Sequence, residues 1–484
     1  MSAAPAVALA DLWSALGGRA EALRNVTLTG SEPALPSSFA VGTAALTSLA
    51  ASTLACAEIG RERSGVQQQV TVDMRHAAVE FRSERYCRVE GRPMAEAWDR
   101  IAGAYPCGDG GWVRLHTNFA HHRDGVLKLL ACAYEKAAVS QALLGWQAEA
   151  FETAAADAGL VVTAQRSFEA WDAHPQGRAV ASLPLLSIDR IEPAGEAPGP
   201  EPLAPIGAMD QPLTGLRVLD LTRIIAGPVC TRVLAAHGAD VLLVTAPHLP
   251  SIETLVIDTG RGKRSAQLDL RAEAGCEALC GLVRGADVFV QGYRPGALGG
   301  LGFTPEALAA LRPGIVVASL SAYGHAGPWA GRRGFDSLVQ TATGFNVAEA
   351  QAAGLAKPTP LPAQVMDHAT GCLLACGIQI ALLRRAREGG SWLVRTSLAQ
   401  TGRWLRGLGR VAGGFGTGDP AIEEVRDLLE ESDSGWGRLM AVRHAGGLSA
   451  TPPRWMRPAV PLGTDRAEWI SAPRQGDAAA RRDS

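Results

Sequence analysis

Between Arg217 and Leu320 the chain alternates short aliphatic runs with longer segments punctuated by Pro and Gly, and this alternation sets the fold class. Arg217-Val218-Leu219-Asp220-Leu221 reads as a strand buried on both faces. Ala226-Gly227-Pro228 then opens a helix through His237, Gly238 stops it, and Val241–Val244 forms the next strand. Strands over Ser265–Leu270, Asp287–Gln291 and Ile315–Leu320, with helices over Ala272–Arg284 and Pro305–Leu311, continue the series. The expected class is α/β, with a Rossmann-like, doubly wound parallel sheet forming a large domain. Ligands of such sheets bind beyond the carboxyl ends of the strands, which here feed the loops Thr222–Gly227, Gly292–Gly296 and Ser321–Pro328.

A chain of 484 residues is too long for one ordinary core. Six prolines between Pro193 and Pro212 mark residues 191–212 as a stiff, extended linker between a part at 1–190 and a larger part at 213–470. The Arg/Asp/Ala-rich residues 471–484 are expected to be a disordered tail. Asp109-Gly110-Gly111 reads as a hairpin turn opening a smaller α+β domain that turns α-rich up to about Gln176. The two parts share a pattern. Arg61, Gly65 and Val70–Met74 recur 324 positions later as Arg385, Gly389 and Val394–Leu398, each after an uncharged, Ala-rich helix. This implies a partial internal duplication.

The balance of 46 basic and 48 acidic residues leaves a net charge of −2 and no field to hold a nucleic acid or an anionic membrane. The uncharged run Phe39–Cys56 is too rich in Ala, Thr, Ser and Gly for a bilayer span and reads as a buried helix. Met1–Gly18 lacks a basic segment followed by a compact apolar one, so a cytoplasmic location is the expectation. The nine cysteines include no Cys-x-x-Cys pair and read as packed, reduced thiols. His116, His121 and His122 with Asp124 lack a helical zinc spacing and read as a polar surface or interface loop, so no metal site is expected.

Asp367 is the residue around which chemistry is expected. It lies between the turn at Pro360-Leu361-Pro362 and the uncharged run Ala369–Leu383. Its bland role is that of a helix N-cap, accepting orphan backbone N–H groups. The segments preceding it weigh against that role alone: Val218–Thr222 with Ala226-Gly227-Pro228, Gly262-Lys263-Arg264-Ser265, Arg294-Pro295-Gly296 after Tyr293, Tyr323-Gly324 with Gly327-Pro328, and Arg333 before Gly334-Phe335-Asp336. In this order they resemble the class III CoA-transferases.

That resemblance implies an enzyme that moves CoA between an acyl-CoA thioester and a carboxylic acid through an aspartyl anhydride and an aspartyl-CoA thioester. It makes Asp367 the nucleophile and Gly324 and Gly327 backbone donors to the oxyanion. It assigns CoA contacts to Ala226, Gly227, Lys263, Arg264, Tyr293, Arg294 and Arg333. CoA enters as a thioester substrate and no tightly bound cofactor is implied, in keeping with the lack of a Gly-x-x-x-x-Gly-Lys-Ser/Thr loop. The implied partners are the acyl-CoA and a carboxylic acid acceptor, in a homodimer or an intrachain pseudo-dimer where residues 41–190 supply a small domain to residues 212–463. Thr43 stands 324 positions before Asp367, so one catalytic centre per chain is expected.

The sequence departs from the family in places. Ile225 replaces a glutamine of formyl-CoA transferases, Leu243 and Thr245 stand where many members have Lys and Glu, and Gly300 replaces a CoA-contacting arginine of some. Two other functions fit the same fold: an α-methylacyl-CoA racemase, and a non-catalytic CoA-ester-binding or partner subunit. Phe335 stands where those racemases carry a histidine, which leaves only His325 or His368 as substitutes.

Overall fold

The computed structural model describes residues 2–96, 98–192 and 198–470, so the tail 471–484 and part of the linker lie outside the described residues. Seven strands form the main sheet: β1 (Leu186–Ile191), β2 (Arg217–Leu221), β3 (Asp240–Thr245), β4 (Lys263–Gln267), β5 (Val288–Gln291), β6 (Val316–Ser321) and β7 (Ser391–Ser397). Their order is β4-β3-β2-β5-β6-β7-β1. Strands β2 to β7 run parallel, while β1 pairs antiparallel with β7. The chain reverses its direction of travel across the sheet between β2 and β5, the position at which doubly wound folds bind ligands.

Two findings refine the expected elements. Strand β4 begins at Lys263 rather than Ser265 because both preceding cations are neutralised inside the sheet, Lys263 by Asp220 and Arg264 by Asp240. The sheet also extends across the linker, since β1 belongs to the N-terminal part and closes the edge of β7. Residues 198–214 run along the ends of two long helices. Arg63 donates to the carbonyls of Ala204, Pro212 and Thr214, and the N–H groups of Glu201 and Gly390 reach Arg385 O and Pro198 O.

Those helices are α1 (Val41–Ser64) and, in the other part, α4 (Val365–Glu388); between them lie α2 (Ala226–Ala236) and α3 (Asp336–Ala342). Helices α1 and α4 have 24 residues each, end at Gly65 and Gly389 with φ of 73° and 70°, and precede the strands Val70–Asp73 and β7. They pack on each other, and α2 packs on α4. Gly371 makes the second contact possible, because a Cβ there would lie 2.6 Å from Ala226 O. Both long helices are apolar enough to cross a membrane, and in each the most apolar 18-residue stretch is buried within the protein.

The hairpin Gly103–Pro106 and Trp112–Leu115 joins Val162–Ala164 in a three-stranded sheet. Three helices between Ala120 and Asp157 cover it around Tyr105, Val113 and Phe151. The hairpin's exit, His116–His122, meets the carboxyl edge of the main sheet.

Candidate active site

Asp367 is the third residue of α4, and the helix starts from Gln364. It is therefore not the cap. That role belongs to Asp336, whose Oδ2 accepts the Asp367 N–H at 2.9 Å while its Oδ1 accepts from Gln340 Nε2. The Asp367 carboxylate is left to face open space, 7% exposed, at the end of α4 where the helix dipole favours negative charge.

Two cavities meet at that carboxylate. One, of about 400 Å³, lies beyond the carboxyl ends of β2, β5 and β6 and extends to Phe119, His121 and His122. The other, of about 420 Å³, lies towards Glu84–Arg88, Met94, Trp98 and Leu255. Ile224, Ile225, Phe335 and Asp367 line both and form the partition. Ile224 holds φ at 77°, a left-handed conformation that a β-branched residue rarely adopts.

The first cavity is built for an anion. Arg223, Arg294, Arg332 and Arg333 line it, and among the described residues Arg223, Arg294 and Arg333 have no carboxylate partner. Arg333 donates to Gly159 O at 2.8 Å, and Arg223 lies 5.4 Å from the Phe119 ring centre. Burial lowers the pKa of Arg333, and Arg294 lowers it further through like-charge repulsion that a bound anion would relieve. Ala226 and Gly227 open α2 on the same cavity, and their N–H groups donate to no described protein acceptor. A Cβ at Gly227 would fall 2.4 Å from Thr222 Cβ.

Asp367 and Asp336 are electrostatically coupled. Burial raises the Asp367 pKa well above its ordinary value, and the charges of Asp336 and Glu84 add to this. Burial also raises Asp336, to about 6, against the hydrogen bonds from Asp367, Gln340 and Met366 that favour its ionised form. Better supplied with donors, Asp336 keeps its charge and Asp367 holds the proton.

Of the residues singled out in the sequence, the structure brings Asp367, Ala226, Gly227, Tyr293, Arg294 and Arg333 together around the first cavity. It does not bring Gly324, Gly327, Lys263 or Arg264 there. Gly324 donates to Ser321 Oγ, and the turn after it is fixed by Gln176, which donates to the Tyr323 and Ala326 carbonyls and accepts from Trp329 N. Lys263 is buried between Asp220 Oδ2 at 3.1 Å and Pro228 O at 2.9 Å. Arg264 is held by Asp240 and Glu468 O. These cations support the β2 loop and the sheet without facing the cavity.

Sequence reasoning passed over Arg223, although it sits in the expected ligand loop, and Arg332, adjacent to Arg333. It also misplaced two of the three histidines, since only His121 is exposed. His116 and His122 are buried, and His116 stacks on Phe335 with ring centres 3.8 Å apart. Burial drives both imidazoles down to about 3, so they stand neutral. No group of three or more metal-ligating side chains occurs among the described residues.

With this geometry, the comparisons with known proteins converge. Residues 213–412 match the sequence model described as CoA-transferase family III, the segment that carries strands β2 to β7, the loops after β2, β5 and β6, and Asp367. An acetyl-coenzyme A transferase of Hypoxylon pulicicidum is 36% identical over 199 residues, covering 40% of this chain and 34% of that protein. A probable fatty acyl-CoA transferase of Mycobacterium tuberculosis is 34% identical over 201 residues, covering 39% and 50%. A formyl-CoA:oxalate CoA-transferase of Bradyrhizobium diazoefficiens is 31% identical over 257 residues, covering 48% and 60%. The chain thus spans between a third and two thirds of the length of these relatives. Residues 213–412 are thus similar to CoA-transferase family III.

Proposed function

We propose that this protein transfers CoA between an acyl-CoA thioester and a carboxylic acid, with Asp367 as the covalent carrier. The observation that carries the reading is the position of the Asp367 carboxylate at the junction of an arginine-lined cavity and a second, partly apolar one. CoA phosphates would meet Arg223, Arg294 and Arg333, and the acyl group would pass the Ile224–Ile225 partition into the second cavity.

In the proposed sequence an Asp367 oxygen bonds to the acyl carbon and the C–S bond breaks, giving a mixed anhydride and CoA thiolate. The thiolate then bonds to the Asp367 carbonyl carbon and the donor acid leaves as a carboxylate. The acceptor carboxylate attacks the aspartyl-CoA thioester, thiolate leaves, and its attack on the new anhydride yields acyl-CoA and free Asp367. Each tetrahedral oxyanion needs donors, and the free N–H groups of Ala226 and Gly227 are better placed for this than those of Gly324 and Gly327. Asp367 must first lose its proton, so removal of that proton becomes part of the activation.

The racemase reading finds less support. Phe335 carries no proton, and the imidazole stacked on it, His116, is a poor base with its pKa near 3.

The N-terminal part reaches both cavities within one chain, through Glu84, Trp98 and His116 at the second and Phe119, His121 and His122 at the first, which supports an intrachain pseudo-dimer derived from a partial duplication. Peptide mass spectrometry after incubation with acyl-CoA esters tests the transfer. A CoA-sized adduct on the Asp367 peptide, absent in Asp367→Asn, is expected. Solvent deuterium at the α-carbon without an adduct would favour racemisation instead.

A further inference from the structure

The second cavity indicates the class of acid. On one part of its wall stand Ile225, Met94, Trp98, Ile252, Leu255 and Phe335, while the charged Glu84, Arg85, Arg88 and Glu96 line it too. At about 420 Å³ it has room for about a dozen water molecules at about 30 Å³ each. A formyl or acetyl group on Asp367 would leave most of that space to water lying against apolar side chains. A chain of six or more carbons would displace it, and the hydrophobic gain would recur with each methylene.

The wall can adapt to such a chain. Trp98 lines the cavity and is 38% exposed, so part of its ring surface is free to pack on a chain. Met94 beside it has an unbranched, adaptable side chain. The partition points the same way. Ile225 lines the cavity together with Asp367 and adds hydrocarbon to its wall.

We propose that the second cavity is an acyl-chain pocket and that the protein works on medium- to long-chain, largely apolar acyl groups rather than one- or two-carbon acids. This rests on the transferase reading for its chemistry, but the pocket can be tested apart from turnover.

The experiment measures Kd for straight-chain acyl-CoA esters from acetyl to dodecanoyl on the full-length Asp367→Asn protein by calorimetry. Alongside, label exchange between each acyl-CoA and its own carboxyl-labelled free acid is followed on the unaltered protein. Affinity is expected to tighten about threefold to fourfold per methylene until the cavity fills. Leu255→Trp is expected to reduce the octanoyl-to-acetyl affinity ratio at least tenfold, and Trp98→Ala, on the open side of the pocket, to reduce it less. A flat Kd series, or one favouring acetyl, overturns the pocket even if label exchange proceeds. A steep series with no exchange for any chain length upholds the pocket and overturns the transfer reaction.

Discussion

The Asp336 carboxylate accepts the backbone N–H of Asp367 at 2.9 Å, so one acidic side chain fixes the helix turn that carries the other. The contact aligns the Asp367 carboxyl with the two cavities. It also places a second negative charge close enough to hold the Asp367 proton in place.

Activity should therefore fall towards acid. Asp367 must be ionised to attack, and its pKa is raised by burial and then by Asp336 and Glu84. kcat/KM should rise with pH through the upper apparent pKa of the pair. Asp336→Asn keeps an oxygen to accept the Asp367 N–H but removes the charge. The acid limb should then move to lower pH, read from the pH profile of adduct formation. An unmoved limb would separate Asp336 from the ionisation of Asp367.

The same raised pKa is a cost in stability. A carboxyl whose folded pKa lies above its unfolded value of about 3.9 leaves stability intact below that pH and loses it as pH rises towards the folded value. Asp367→Asn abolishes the loss. Its thermal midpoint should match the unaltered protein near pH 4 and exceed it at pH 8, by on the order of 2 kcal/mol of stability, while adduct formation disappears. Calorimetric scans at the two pH values check the sign.

Ile224 should be dispensable for folding but not for function. Its left-handed φ of 77° costs about 1–2 kcal/mol, close to what glycine entropy would take back. Ile224→Gly should leave the thermal midpoint within a few degrees yet lower kcat/KM, because the wall between the cavities is lost. A large fall in the midpoint would show that the side chain matters for packing rather than for the partition.

The parallel sheet was legible because each of its elements announces itself locally: apolar runs for β2, β3, β5 and β6, Pro at the start of Pro305–Leu311, and Gly238 after α2. Asp367 stands out in the sequence for a similar reason, as the carboxylate between a turn and the uncharged run Ala369–Leu383. What stayed hidden depends on contacts between distant positions. Asp336 caps a residue 31 positions on, and Lys263 pairs with Asp220, 43 positions earlier. The parallel strand β4 that begins with two cations looks, in sequence, like an exposed basic turn. Strand β1 buries only its two ends, Leu186 and Ile191, and shows no strict alternation between them, a pattern too weak to register before a proline-rich segment.

Lys263 and Arg333 therefore make opposite predictions. Arg333 lines the first cavity without a carboxylate partner, and Arg333→Ala should weaken acyl-CoA binding about tenfold, more at low salt than at high, with little change in stability. Among the described residues Lys263 donates to Asp220 and to the carbonyl of Pro228, the residue after Gly227. Lys263→Met leaves the Asp220 charge with only the donations of Thr222 and Thr231, and should cost about 3 kcal/mol of stability. Below its lowered melting temperature, however, it should bind acyl-CoA within about twofold of the unaltered protein, since no phosphate contact has been removed. Paired denaturation and calorimetric titration of the two variants separate the roles. If Lys263→Met lost affinity as Arg333→Ala does while keeping its stability, the basic turn would be a direct CoA contact after all, and β4 would have to open to reach it.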